Sequence, residues 1–195
     1  MWAGAAWCIG LLVLIVMGPV VYELQVAASR VPRYVPAWEA VPIIVAVVLP
    51  SLLAPRMWAY ERIGEQRRLR LCALGSGALM LALPALLTVI SGVFILPAGA
   101  RWRDIVFNVL LISAVAVIAV ALRGALVGPL VALSAYFLLL IAQQVLPEAG
   151  WWLIPLSQGD EHDLPRSCVS AILAGAALAV WTMTLGRSRW VHEAN

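Results

Sequence analysis

Lysine is absent from this chain of 195 residues, and all thirteen of its basic residues are arginine. Charge of either sign is scarce: only 12% of the residues are charged, about half the share of a typical soluble domain. Against that shortage stand 64% hydrophobic residues and a mean hydropathy of +0.97. Together these exclude an ordinary soluble domain and predict a polytopic membrane protein with spans of roughly 20 apolar residues each. The net charge of +3 then reads as arginine-anchored membrane loops, not as a footprint for nucleic acid.

Cysteine is sparse as well. Cys8, Cys72 and Cys168 stand in or beside apolar runs without CxxC spacing, which excludes a disulfide framework or zinc site and predicts buried small apolar residues. The chain has no GxSxG, no HExxH, no Walker loop and no paired carboxylates of the DxD kind, so the motif-based enzyme classes are excluded. It has no internal repeat of the inverted-transporter type. The apolar runs also lack ionisable residues at their centres. Glu23, Glu39, Asp104 and Arg123 fall at the predicted span ends, where side chains reach water, so a proton relay is not expected. His162 and His192 lie in a loop and in the tail, away from any haem position in a bundle.

Six apolar runs are present. Trp2 to Tyr22 rises about 31 Å as a helix, enough to span; it has no basic leader and is long for a secretory signal. The second run is Trp38 to Leu53, with Pro42 and Pro50 predicting a kinked helix packed inside the bundle. The connection before it, Glu23 to Ala37, is polar and broken by prolines. The third run is Leu71 to Leu96, interrupted by Pro84. Asp104 to Leu122 and Ala125 to Leu146 follow, joined by Arg123-Gly124 as an antiparallel hairpin with almost no loop. Pro147 to Arg166 is a long connection carrying Asp160, Glu161, His162 and Asp163, read as a solvated acidic loop in preference to a cation site. Ser167 to Leu185 is the sixth. The predicted fold is therefore an all-α polytopic membrane protein, one transmembrane domain over 1–195, with six transmembrane helices at 2–22, 38–53, 71–96, 104–122, 125–146 and 167–185.

Small residues recur every four positions at Gly124, Gly128 and Ala132, and again at Ala171, Gly175 and Ala179, a spacing that lets helix backbones approach closely. Packing within the chain is the first reading; a contact between protomers is the alternative. Gln143 and Gln144 are read either as lining a translocation path or as hydrated residues at the membrane interface. The tryptophans, Trp181 included, mostly flank the spans as an interfacial belt.

The long polar stretch Ala54 to Arg70 holds five of the thirteen arginines. As a helix it places Trp58, Arg62 and Glu65 on one face and Tyr60, Gly64 and Arg67 on another, a weakly amphipathic surface helix. With both termini inside, the inner segments carry eight arginines and the outer ones five, in the sense of the positive-inside rule. That orientation places both termini in the cytoplasm and the chain in the cell membrane.

Six spans, the Arg56–Arg70 segment, the tight Arg123-Gly124 turn, the long connection before the last span, and Glu61, Arg62, Gly64 and Leu69 leading into the third span carry a resemblance. In these features the chain resembles the membrane subunit, or permease, of type 2 ABC exporters. It departs from that pattern in having Ala73-Leu74-Gly75 where a Thr-Pro pair is common, and in starting its first apolar run at Trp2 without a preceding interfacial helix. The resemblance implies a short cytosolic coupling helix between spans 2 and 3 that docks on ATPase subunits. Its partner-binding residues would be Arg56, Trp58, Tyr60, Glu61, Arg62, Glu65, Arg67 and Arg68, with Arg123 beside them, and Gln143 and Gln144 would lie on the path. It implies no catalysis and no cofactor in this chain, ATP and Mg belonging to the ATPase partner. The other partners would be a second permease copy or homologue and membrane lipid, with no nucleic acid. A non-catalytic scaffold or accessory subunit of a membrane complex is the alternative.

Overall fold

The computed structural model describes residues 2–17, 20–24, 33–60, 66–94, 102–145 and 163–185. Five helices and one small ribbon make up these residues: α1 (Trp2–Met17), β1 (Val21–Leu24), β2 (Arg33–Pro36), α2 (Ala37–Tyr60), α3 (Gln66–Phe94), α4 (Trp102–Val145) and α5 (Asp163–Thr184). Four of the helices are long and apolar enough to cross a membrane, with a shorter apolar helix at Trp7–Val16. This is a multi-pass helical membrane protein.

The surface agrees with that class. Every helix turns large apolar side chains outward, among them Ile9, Ile44, Leu79, Leu126 and Ile172, which lipid solvates and water would not. On α2, Ile44, Val48 and Leu52 are exposed at four-residue spacing, while Ile43, Ala46, Val47 and Leu49 are buried. The helix thus shows one lipid-facing stripe and packs the rest of its surface, as expected for an interior helix. Three buried hydroxyls bond their own helix backbones, whereas the buried Ser170 hydroxyl donates across to the Phe107 carbonyl at 3.3 Å. Ser113 donates to the Val109 carbonyl at 2.7 Å, Thr88 to Pro84 at 3.1 Å and Ser91 to Leu87 at 2.8 Å.

Several boundaries differ from the sequence reading. The first helix ends at Met17, short of Tyr22, and the chain enters an antiparallel ribbon with Val21 opposite Pro36 and Leu24 opposite Arg33. The ribbon ties to α2 through Ala37 N–H donating to the Val20 carbonyl at 3.0 Å. A purely α-helical chain is corrected by these eight strand residues. Pro36 disfavours a helix running on into α2 from its N-terminal side, and strand pairing satisfies the backbone of Val21–Leu24 and Arg33–Pro36. The three cysteines are exposed, not buried. Facing lipid asks as little of a small apolar side chain as burial does.

α4 runs over 44 residues, but Gly124 within it has φ 87° and ψ 171°, which is not helical. A straight helix would hold Val120 and Gly128 about 12 Å apart. Instead, a Cβ built on Gly128 would lie 2.6 Å from the Val120 Cα. Ala116 and Ala132, and Ile112 and Tyr136, also share one packed cluster. The chain therefore reverses at Gly124, and the two arms run antiparallel as the Arg123-Gly124 turn predicted. Only glycine takes this backbone conformation freely. Gly124→Ala is expected to cost about 1–3 kcal/mol, read as a lowered denaturation midpoint of the purified chain in detergent; an unchanged midpoint would contradict the strained turn.

Packing also fixes which ends lie together. One cluster joins Ala54 near the end of α2, Ala73 near the start of α3, Val120 and Ala121 beside the reversal, and Trp181 near the end of α5. A second joins Ile43 of α2 to Ile105, Val109, Tyr136 and Leu140 of α4, at the opposite end. Leu14 of α1 meets Val45 and Leu87, and Trp7 Nε1 donates to the Leu83 carbonyl at 3.3 Å. Since Gly10 lies between Val45 and Leu87, α1 runs alongside α3 in the same direction. The core is two clusters stacked along the bundle axis, with α1 closing one side.

Candidate functional site

The polar stretch at 54–70 is not a separate helix among the described residues. Ala54 to Tyr60 continue α2, and Gln66 to Arg70 open α3. Arginine, glutamine and leucine are good helix formers, so α3 begins a turn before the apolar boundary, and its 29 residues reach about 44 Å. The arginine-bearing first turn, about 5 Å of rise, is part of the length beyond a bilayer core of about 30 Å. A separate coupling helix is not seen among the described residues, which show the ends of two long helices, with 61–65 outside the described residues.

Of the residues assigned to partner binding, Arg56, Trp58 and Tyr60 lie in the last turns of α2. Arg67 and Arg68 lie exposed in the first turn of α3. Glu61, Arg62 and Glu65 lie outside the described residues. Arg123 is exposed beside the α4 reversal. The cluster that joins Ala54, Ala73, Ala121 and Trp181 puts the α2–α3 connection, the Arg123 turn and the end of α5 at one end of the bundle. We call this the basic end. Gln143 and Gln144 fall in the last turn of α4, at the opposite end, where Arg103 opens the other arm.

That opposite end holds a residue the sequence reading placed in water. Glu39, in the first turn of α2, is 1% exposed. The signal was present: Glu39, Ile43, Ala46 and Val47 stand at i, i+4, i+7 and i+8, one helical face, and the three apolar members of that face are core. Asn108 and Tyr136 are also buried, and Tyr136 packs in the same cluster as Ile43. A carboxylate buried within a candidate membrane span is a functional candidate by default.

The small-residue stripes divide. Gly128 and Ala132 are buried between the α4 arms, as packing within the chain requires. Ala171, Gly175 and Ala179 instead stand exposed on α5, with nothing within 4 Å of a Cβ built on Gly175. Trp181 is another departure. It is fully buried, its Nε1 donating to Ser76 Oγ at 3.1 Å, and does not belong to an interfacial belt. Among the described residues no group of three or more His, Cys, Asp or Glu is placed to hold a metal.

Comparison with known proteins finds no matching family, no matching characterised protein and no matching solved structure. What the fold defines is the class, a multi-pass helical membrane protein, with Arg56, Arg67, Arg68, Arg70 and Arg123 at one end of its bundle and Arg33, Arg103 and Arg166 at the other among the described residues.

Proposed function

We propose that the chain is the membrane-spanning permease subunit of an ATP-driven ABC exporter, pairing with a second permease and coupling to separate ATPase subunits. In this reading α4 crosses twice and α1, α2, α3 and α5 once each, giving six spans. Both termini and the basic end face the cytoplasm. The observation that carries the reading is the gathering of the α2–α3 connection and the Arg123 turn at one end, since an ATPase docking from one side needs both within reach. Hydrolysis in the partner would be transmitted through the ends of α2 and α3 as levers, with Gln143 and Gln144 at the far mouth of the path. The substrates of such permeases are amphipathic or lipidic molecules, peptides, drugs or glycans.

The test is purification of the tagged chain from its native membranes, with an ATPase expected to co-purify. Replacing Glu61 and Arg62 by alanine should then lower stimulated ATP turnover about tenfold or more, the scale of losing a charged contact buried at an interface. A clean preparation with no ATPase would sink the proposal. The accessory-subunit reading is favoured by the buried hydroxyls of Thr88, Ser91 and Ser113, which bond their own helix backbones and line no route. It would prevail if replacing 54–70 by a neutral linker left the cellular role intact.

A further inference from the structure

The two arms of α4 leave an open groove of about 510 Å³ beside the reversal. One wall is Val115, Ile118, Ala119, Leu122 and Arg123, the other Val127 and Val131. The first five stand at i, i+3, i+4, i+7 and i+8, a single helical face running about 12 Å along the axis. That is close to the depth of one leaflet, half of a hydrocarbon core of about 30 Å. Ala119, buried and small, forms the floor, while Leu122, Val127 and Val131 stand at the exposed rim. The groove is apolar along its length and has one charged lining residue, Arg123, at the end next to the turn. No acidic side chain lines it.

We infer that this groove binds one anionic phospholipid of the leaflet at the basic end, its phosphate on Arg123 and an acyl chain laid between the arms. The location selects a lipid, because the rim residues lie on the apolar outer surface of a candidate span. Direction selects it further: a phospholipid in that leaflet has its anion at the membrane surface and its chain pointing to the midplane, as the groove has its cation and its apolar floor. Charge complementarity selects a net-anionic headgroup over a zwitterionic one, since a zwitterionic headgroup carries a cation of its own beside the phosphate. An arginine presents a fork of N–H donors to phosphate oxygens. This site does not depend on an ATPase partner.

The experiment uses the full chain, purified without partners, delipidated in detergent and examined by native mass spectrometry with added phosphatidylglycerol or phosphatidylcholine. One phosphatidylglycerol is expected to bind in preference to phosphatidylcholine by about five-fold, the scale of one basic residue acting on an anionic lipid. Arg123→Gln should abolish the preference, and Arg123→Lys should keep most of it. Val127→Phe, at an exposed rim position, should fill the groove and weaken binding of both lipids, whereas Leu138→Phe on the exposed surface away from it should change nothing. Equal binding of the two lipids by the unaltered chain would overturn the inference. So would a preference that survives Arg123→Gln, binding that survives Val127→Phe, or displacement of the lipid by inorganic phosphate alone. Denaturation midpoints of Arg123→Gln and Val127→Phe matching the unaltered chain establish that a loss of binding is not a loss of fold.

Discussion

Gly128→Leu is expected to unfold the α4 hairpin, costing about 3 kcal/mol or more, at the upper end of overpacking penalties. A Cβ at this position would come within 2.5 Å of Val120 Cγ2, 2.6 Å of Val120 Cα and 2.7 Å of Val120 N. A side-chain methyl can rotate away, but two of these three atoms are backbone, so the arms themselves must separate. Separation would open the cluster in which Ala116 and Ala132 face each other and in which Ile43 of α2 is seated. The matched controls are Gly75→Leu and Gly175→Leu, where an added Cβ meets nothing within 4 Å. Those two should change stability by less than about 0.5 kcal/mol from packing, as ordinary surface substitutions do, and gain slightly from helix propensity. Denaturation midpoints of the purified variants in one detergent check the contrast. A Gly128→Leu midpoint equal to those of the controls would refute the close crossing at Val120.

The hairpin was legible because its signal is local. Arg123-Gly124 interrupts an apolar run too long for one span, and glycine is the residue that can take φ 87°. The α2–α3 connection was less legible, for the opposite reason. A polar stretch between two apolar runs suggests an element of its own, yet hydropathy marks where lipid begins, whereas helix propensity marks where the backbone stays helical. Trp58 and Tyr60 carry α2 onward, and Arg67, Arg68 and Arg70 start α3 early. Glu39 shows a third case. Charge at a span end was equated with access to water, but the face of α2 on which it stands, with Ile43 and Ala46, turns inward from its first turn. The exposed stripe Ala171, Gly175 and Ala179 shows a fourth. In a bilayer, small residues cost little when exposed to lipid, so spacing alone does not say which side of the helix is packed. What the sequence could not order was the bundle itself: that the basic residues from three separated segments share an end follows from Ala54, Ala73, Ala121 and Trp181 meeting.

That meeting depends on Trp181, whose replacement by alanine is expected to cost about 3–5 kcal/mol, the range for emptying a buried aromatic site. Among the described residues Trp181 is the largest fully buried side chain. α5 buries little of its surface otherwise: Cys168, Val169, Ala171, Ile172, Ala176 and Met183 all face outward. The indole lies over Gly77 of α3, where an added Cβ would come 3.1 Å from Trp181 Cδ1 and 3.0 Å from Leu178 Cδ2. Ser76 Oγ accepts the indole N–H and donates in turn to the Ala73 carbonyl at 3.0 Å. Removing the indole therefore takes away packing that lipid cannot replace, because the vacated site lies inside the seam between α3 and α5. Ser76→Ala removes the acceptor alone and should cost about 1–2 kcal/mol, while Trp181→Phe should fall between the two. Because the residues are in contact, Ser76→Ala on top of Trp181→Ala should add less than it costs by itself. Detachment of α5 is the specific consequence, read as new proteolytic cleavage on its N-terminal side at temperatures where the unaltered chain resists. Additive losses, or a Trp181→Ala protein as stable and protease-resistant as the parent, would show that α5 is held by some other contact.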